Sequence, residues 1–206
     1  MGIAILFRKD GNLSPFKSML KRLIELPQGE HLLLCSGYIQ EPPYSYSVTQ
    51  DTGLLQAISK GCKASVVIVS DRYASGRWKP AYSCFVTQML DHAEVNGRSV
   101  IERRPKAKAK WHAKVAMKIS GEMDRLTSLR DARPIAGIIG SSNLTRPACQ
   151  APTRNPFNHE CDVVLWNDEE STVKTHLVEG AREVEEQMPG NLIVAAVDYL
   201  GLQSQL

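Results

Sequence analysis

The chain lacks any apolar run of the 18 or more residues that a membrane span requires; the stretch NLIVAAVDYLGL near its end is cut by Asp198. It has no amphipathic, tryptophan-rich interfacial helix and no lipidation signal, so no stable membrane association is expected. The opening MGIAILF has no basic residues ahead of a short apolar run and reads as a strand, not a secretory leader. Cysteine is sparse. Cys35, Cys62, Cys84, Cys149 and Cys161 form no C-x-x-C pair and mostly sit in apolar runs, the pattern of reduced thiols in a cytoplasmic protein. The spacing of Cys149, His159 and Cys161 fits no usual zinc-ligand pattern, so neither a metal nor a cofactor is expected. There is no internal repeat, no linker long enough to divide the chain, and no zinc-finger or helix-turn-helix signature to read base sequence.

What is present is a globular composition, 43% hydrophobic and 23% charged over 206 residues. A chain of that size buries about 70% of its unfolded surface without disulfides or structural metal. One domain spanning residues 1–206 is expected. The net charge is only +3 but unevenly placed: seven bases and no acid lie between Arg103 and Lys118, whereas Glu160 to Glu186 holds nine acids against Lys174 and Arg182. A local basic stripe suits a polyanion.

Strand and helix patterns alternate. A first strand is expected near Gly2 to Phe7, then a helix in PFKSMLKRLIEL with Phe16, Met19, Leu20, Leu23 and Ile24 at helical spacing. HLLLCSGYI and CKASVVIVS read as strands buried on both faces, joined through a helix around Gly53 to Lys60. After the loop DRYASGRWKP come a helix over Ala81 to Val95, strands at Ser99 to Arg104, Trp111 to Ile119 and Ile135 to Ile139, and a helical turn over Leu144 to Cys149. A strand at Glu160 to Trp166 and an acidic-faced helix over Asp168 to Gln187 complete the order. This alternation predicts an α/β fold, a mixed central β-sheet flanked by helices on both faces.

The segment KAKAKWHAKVAMKI carries the first chemical signal, because strand side chains alternate between faces. Its even positions give Lys106, Lys108, Lys110, His112, Lys114, Ala116 and Lys118, and its odd positions Ala107, Ala109, Trp111, Ala113, Val115, Met117 and Ile119. The pattern predicts a cationic face, with His112 and Lys114 projecting together roughly 7 Å apart at Cα, and a buried apolar face. Further on, Ile138-Ile139-Gly140-Ser141-Ser142-Asn143 is an apolar strand ending in a residue without a side chain, two hydroxyls and an amide. Gly140 permits close backbone approach, while Ser141, Ser142 and Asn143 can donate to an oxyanion, or simply cap a helix. Glu160 opens the next apolar strand, where its carboxylate can orient a histidine ring.

This series resembles the phospholipase D superfamily, whose motif H-x-K-x(4)-D is followed by G-S-x-N and a downstream Glu. The matching residues are His112, Lys114, Gly140, Ser141, Asn143 and Glu160, and the resemblance covers about Trp111 to Trp166. The motif Asp falls at Ile119, as in some nuclease-like members that also lack it. Asp124 and Asp131 lie in the stretch GEMDRLTSLRDARP, which lengthens the gap to Gly140, and no spacing argument favours either as a substitute.

The resemblance implies a phospholipase D/nuclease-like fold and a metal-independent phosphodiesterase. One histidine attacks phosphorus to form a covalent phosphohistidine, and a second protonates the leaving oxygen. Lysine and asparagine stabilise the nonbridging oxygens. The catalytic set it implies is His112, Lys114, Asn143, Glu160 and Ser141. With one His-x-Lys in the chain, it further implies a homodimer with a site shared by two subunits. The ladder Arg104, Lys108 and Lys110 leading to His112 suits successive phosphates of DNA or RNA, with Ser142 and Trp78 as further substrate-binding candidates. Trp78, between Arg77 and Lys79, can stack on a base, pack beside a phosphate or fold onto the core. The expected activity is therefore an endonuclease-like hydrolase. The alternatives are a phospholipid-hydrolysing or phosphatidyl-transferring enzyme and a noncatalytic nucleic-acid-binding module.

Overall fold

The computed structural model describes residues 1–8, 14–70, 76–103, 113–121, 132–150 and 160–190, with the backbone of 192–196. Its strands are β1 (Gly2–Phe7), β2 (His31–Cys35), β3 (Ser65–Val69), β4 (Ser99–Arg103), β5 (Val115–Ser120), β6 (Arg133–Gly140), β7 (Cys161–Trp166) and β8 (Leu192–Ala196). The helices are α1 (Pro15–Glu25), α2 (Val48–Asp51), α3 (Leu54–Gly61), α4 (Lys79–Val95), α5 (Arg146–Cys149) and α6 (Ser171–Gln187).

All eight strands join one sheet in the order β4-β3-β2-β5-β6-β7-β1-β8. The β2, β3 and β4 strands run parallel, and the remaining pairs are antiparallel. The sheet is therefore mixed, as the alternation of elements led us to expect. Its parallel part is built by crossovers through α3 and α4, and its antiparallel part contains the candidate site.

The first helix shows how the sequence sets the packing. Ser14 caps α1 by accepting from the Lys17 N–H at 3.1 Å, and Pro15 occupies the first turn, where its missing donor costs nothing. Phe16, Met19, Leu20, Leu23 and Ile24 then fall on one stripe and are all buried. They share a core with Ala57 and Ile58 of α3, Phe85 and Met89 of α4, and Leu177 and Val184 of α6. From the sheet, that core takes Ala4 and Leu6, Leu32 and Leu34, Val66 and Ile68, Ala116, Ile138 and Val164, every second residue along each strand. The described helices that supply this core pack over the face those strand residues form. Residues of the other parity, such as Ile3, Ile5, Val115, Met117, Val163 and Leu165, are half-exposed among the described residues and Ile139 is 43% exposed, whereas Cys35 and Val67 are buried.

Three sequence expectations change. The strand expected over Trp111 to Ile119 begins at Val115, with Ala113 and Lys114 ahead of it in non-strand backbone; residues 104–112 lie outside the described residues. The alternation also runs opposite to the expected sense: Ala116 and Lys118 are buried while Val115 and Met117 are half-exposed. Hydropathy assigned the apolar positions to the core. The helices instead pack over the face that carries small Ala116 and Lys118, and the bulge between Lys118 and Ile119 buries Ile119 as well. Finally, the tail read only as too short for a membrane supplies β8, paired antiparallel to β1. No described helix is long and apolar enough to cross a membrane.

Candidate active site

Three strands bring the motif segments together. The β5–β6 register sets Val115 opposite Ile139, and the Gly140 N–H donates to the Lys114 carbonyl at 3.2 Å, so Lys114 stands beside Gly140. On the other side Gly140 pairs with Asp162 in β7. Only glycine fits there: a Cβ would lie 2.6 Å from both the Asp162 Cα and the Cys161 carbonyl oxygen. Gly140 thus has a packing cause, the close approach of β6 to a neighbouring strand that turns a polar side chain toward it.

Past Gly140 the chain is tied residue by residue. Ser141 pairs with β7 through its N–H to the Cys161 carbonyl at 3.1 Å, and its hydroxyl donates to the Glu160 carboxylate while accepting from the Cys161 N–H at 3.0 Å. Ser142, 2% exposed, donates its N–H and hydroxyl to the two oxygens of Asp162 at 3.1 and 2.6 Å. Burial pushes the Asp162 carboxyl above the usual carboxylate range, and the Ser142 bonds oppose that shift.

Asn143 is held by a different element. Its side-chain oxygen accepts from the Tyr38 N–H at 3.1 Å and lies 3.4 Å from the Ser36 hydroxyl, both just past β2. Ser36 accepts in turn from the Leu144 N–H at 3.1 Å, and the Ile39–Leu144 bridge closes the junction. The amide oxygen is spent on these donors, and among the described residues no acceptor engages the Asn143 NH2. Asn143 is half-exposed, as are Lys114 and Glu160, whereas Ser141 is exposed.

Lys114, Gly140, Ser141, Asn143 and Glu160 gather at one end of the sheet. His112, Lys110, Lys108 and Arg104 lie outside the described residues, as do His159, Asp124 and Asp131. Glu160 engages Ser141, and Ser142 is turned inward onto Asp162. Trp78 stands at the N-terminus of α4, half-exposed, packed between Tyr38 and Tyr44 with ring centroids 4.9 and 5.0 Å away. Cys35, Cys62 and Cys149 are buried, and burial pushes the thiols of Cys35 and Cys149 up to about 11 and about 12; Cys84 is half-exposed and Cys161 exposed.

Sequence reading missed Asp162, Ser36 and the buried Arg8, whose guanidinium donates to the carbonyls of Pro147 and, at 2.6 Å, Gln150. The available signals were weak: a lone Asp in the apolar run CDVVLW, and a Ser-Gly closing HLLLC. A groove of about 320 Å³ elsewhere, lined by Met117, Ile135, Ile139 and Leu165 among others, offers no carboxylate, imidazole or lysine, and is not the site.

No protein-family model matches the chain, and no curated protein does. Two solved structures of yeast tyrosyl-DNA phosphodiesterase, both of mutant forms, are similar to it in fold. One aligns with TM-score 0.44 and 11% identity over 80% of this chain and 46% of its own. The other aligns with TM-score 0.37 and 13% identity over 78% of this chain and 31% of its own. The chain thus spans less than half the length of either.

Proposed function

We propose that this chain is a metal-independent phosphodiesterase acting on DNA or RNA, with a site completed by a second copy of itself. The observation that carries the reading is the convergence at one sheet end of Lys114, Ser141, Glu160 and Asn143. There the amide oxygen of Asn143 is tied to the Tyr38 N–H, which leaves its NH2 for an anion.

In this reading a ring nitrogen of His112 attacks phosphorus, and the P–O bond to the leaving group breaks as the partner's His112 gives that oxygen a proton. Water then cleaves the P–N bond, losing its proton to the same partner imidazole and returning both rings to their starting states. Lys114 and Asn143 meet the charge on the nonbridging oxygens, and Glu160 positions Ser141 beside them. The basic residues Arg104, Lys108 and Lys110 bind flanking phosphates, a contribution that weakens as salt rises. Five unpaired cysteines support a reducing, cytoplasmic location.

The test incubates purified protein in excess EDTA with labelled single- and double-stranded DNA and RNA, and with anionic phospholipid vesicles, beside His112→Ala and Asn143→Ala. Expected are cleavage of nucleic acid without metal, loss of about 10³-fold or more in His112→Ala and about 10²-fold in Asn143→Ala, and a trapped phosphohistidine adduct by mass spectrometry. Strict dependence on divalent metal, or cleavage of lipid alone, overturns the reading. Mixed dimers of wild type and His112→Ala retaining full activity overturn the shared site.

A further inference from the structure

We propose that Tyr38, Tyr44 and Trp78, flanked by Arg77 and Lys79, form a stacking shelf for an unpaired nucleobase beside the scissile phosphate, which directs the enzyme to single-stranded nucleic acid. This rests on the phosphodiesterase reading above and names its substrate.

The shelf is built rather than incidental. Trp78 packs on Tyr38 at 4.9 Å with the planes 59° apart and on Tyr44 at 5.0 Å with the planes 31° apart. The Tyr44 hydroxyl donates to the Arg77 carbonyl at 2.9 Å, and the Arg77 guanidinium carbon lies 5.8 Å from the Trp78 ring centroid. Cores take their aromatics in fully: Phe16, Tyr46, Tyr82, Phe85 and Trp166 are 0–7% exposed. Tyr38, Tyr44 and Trp78 keep half-exposed rings although they are fastened together, and Arg77 and Lys79 beside them are exposed. Fixed, partly open rings next to cations are the features that bind single strands, base on ring and phosphate on cation.

Its position gives the shelf a role in the reaction. Tyr38 carries both the shelf ring and the backbone N–H that holds the Asn143 amide oxygen at 3.1 Å, so shelf and oxyanion donor are joined through one residue. A base seated on the rings puts a neighbouring phosphate near that amide. Duplex bases already stack on one another and present no free face, so the shelf discriminates by strandedness and tolerates base identity.

The experiment compares kcat/KM on a single-stranded oligonucleotide, its duplex and bis(4-nitrophenyl) phosphate, which has no base, for wild type, Trp78→Leu and Tyr44→Leu, with folding checked by circular dichroism. Wild type is expected to favour the single strand. In either variant kcat/KM on it falls about 10- to 100-fold, at least ten times further than on the baseless diester. An equal fall on all three substrates, an unchanged single-strand rate, or wild type cleaving duplex as fast as single strand overturns the shelf. If wild type cleaves none of them, the phosphodiesterase reading fails and the shelf is judged by fluorescence anisotropy of the labelled single strand. Weakening of about 10-fold in the variants then sustains it, and equal affinity overturns it.

Discussion

Lys114 and Lys118 lie four residues apart on and just ahead of one strand, yet meet opposite fates. At the site end, Lys114 is half-exposed and its backbone carbonyl accepts from Gly140. At the other end, Lys118 is 0% exposed and its ammonium donates to the Gly61 carbonyl at the end of α3. Burial drives the Lys118 pKa down to about 8. The difference lies in what surrounds each residue. At the closed end α1 and α3 pack so tightly that a Cβ on Gly61 would sit 2.7 Å from the Ile24 carbonyl carbon, and a lysine there is walled in. At the open end Lys114 and Glu160 stay half-exposed and Ser141 exposed, and the polar groups there are ordered by hydrogen bonds between strands. A cation at the open end keeps contact with water, whereas one at the closed end is sealed from it.

The strongest way to break the open end is Gly140→Ala. The new Cβ meets backbone of β7, which has no flexible tip to give way, so the strands must part where Ser141 and Ser142 are tied. A loss of about 3 kcal/mol or more is expected, read as a lowered midpoint in urea unfolding, with catalysis lost alongside. Next is Asp162→Ala, which strips Ser142 of acceptors for both its N–H and its hydroxyl in a buried place. The expected cost is about 2–3 kcal/mol, tempered because the acid itself is penalised by burial. Its raised pKa also sets a sign. The folded state holds this proton more tightly than the unfolded chain, so Asp162 contributes a stability that declines as pH rises from about 4. Asp162→Asn removes that slope, and unfolding midpoints at pH 4 to 7 would show it. Ser141→Ala is milder, because Cys161 N–H and Glu160 lie at a surface where water replaces the hydroxyl; about 1 kcal/mol or less is expected in the same assay.

How much of this was legible follows the same division. The open end was readable because its residues serve local needs: an apolar strand, a glycine at its end and short polar side chains beyond. What Gly140 accommodates was not readable, since Asp162 is 22 residues away in sequence and announces itself only as one acid in an apolar run. The Ser36–Asn143 junction spans 107 residues and left no pattern at all. At the closed end the period-two reading of β5 failed on Lys118, because alternation shows that two faces differ and leaves open which one the helices will cover. Likewise β8 was read as an apolar tail because its pairing with β1 joins the two ends of the chain.

The smallest effect expected at neutral pH, and the sharpest test of the contrast, is Lys118→Met. Methionine is apolar and of similar length, so it removes the cost of a buried charge but leaves the Gly61 carbonyl without the ammonium donor. These nearly cancel at pH 7, so stability should change by about 1 kcal/mol or less. The pH dependence does not cancel. A lysine titrating at about 8 when folded and 10.5 when unfolded makes the unfolded chain the stronger proton binder between those values, so stability rises with pH across that window. The rise approaches 1.4 kcal/mol per pH unit for one proton, about 3 kcal/mol in all. Denaturant midpoints at pH 7.5, 9 and 10.5 should climb for wild type relative to Lys118→Met. Lys114→Met, at the open end, should shift the same curve little while sharply reducing turnover. Parallel curves for Lys118→Met and wild type would show that the closed end admits water after all, and the two lysines would then differ by chemistry alone.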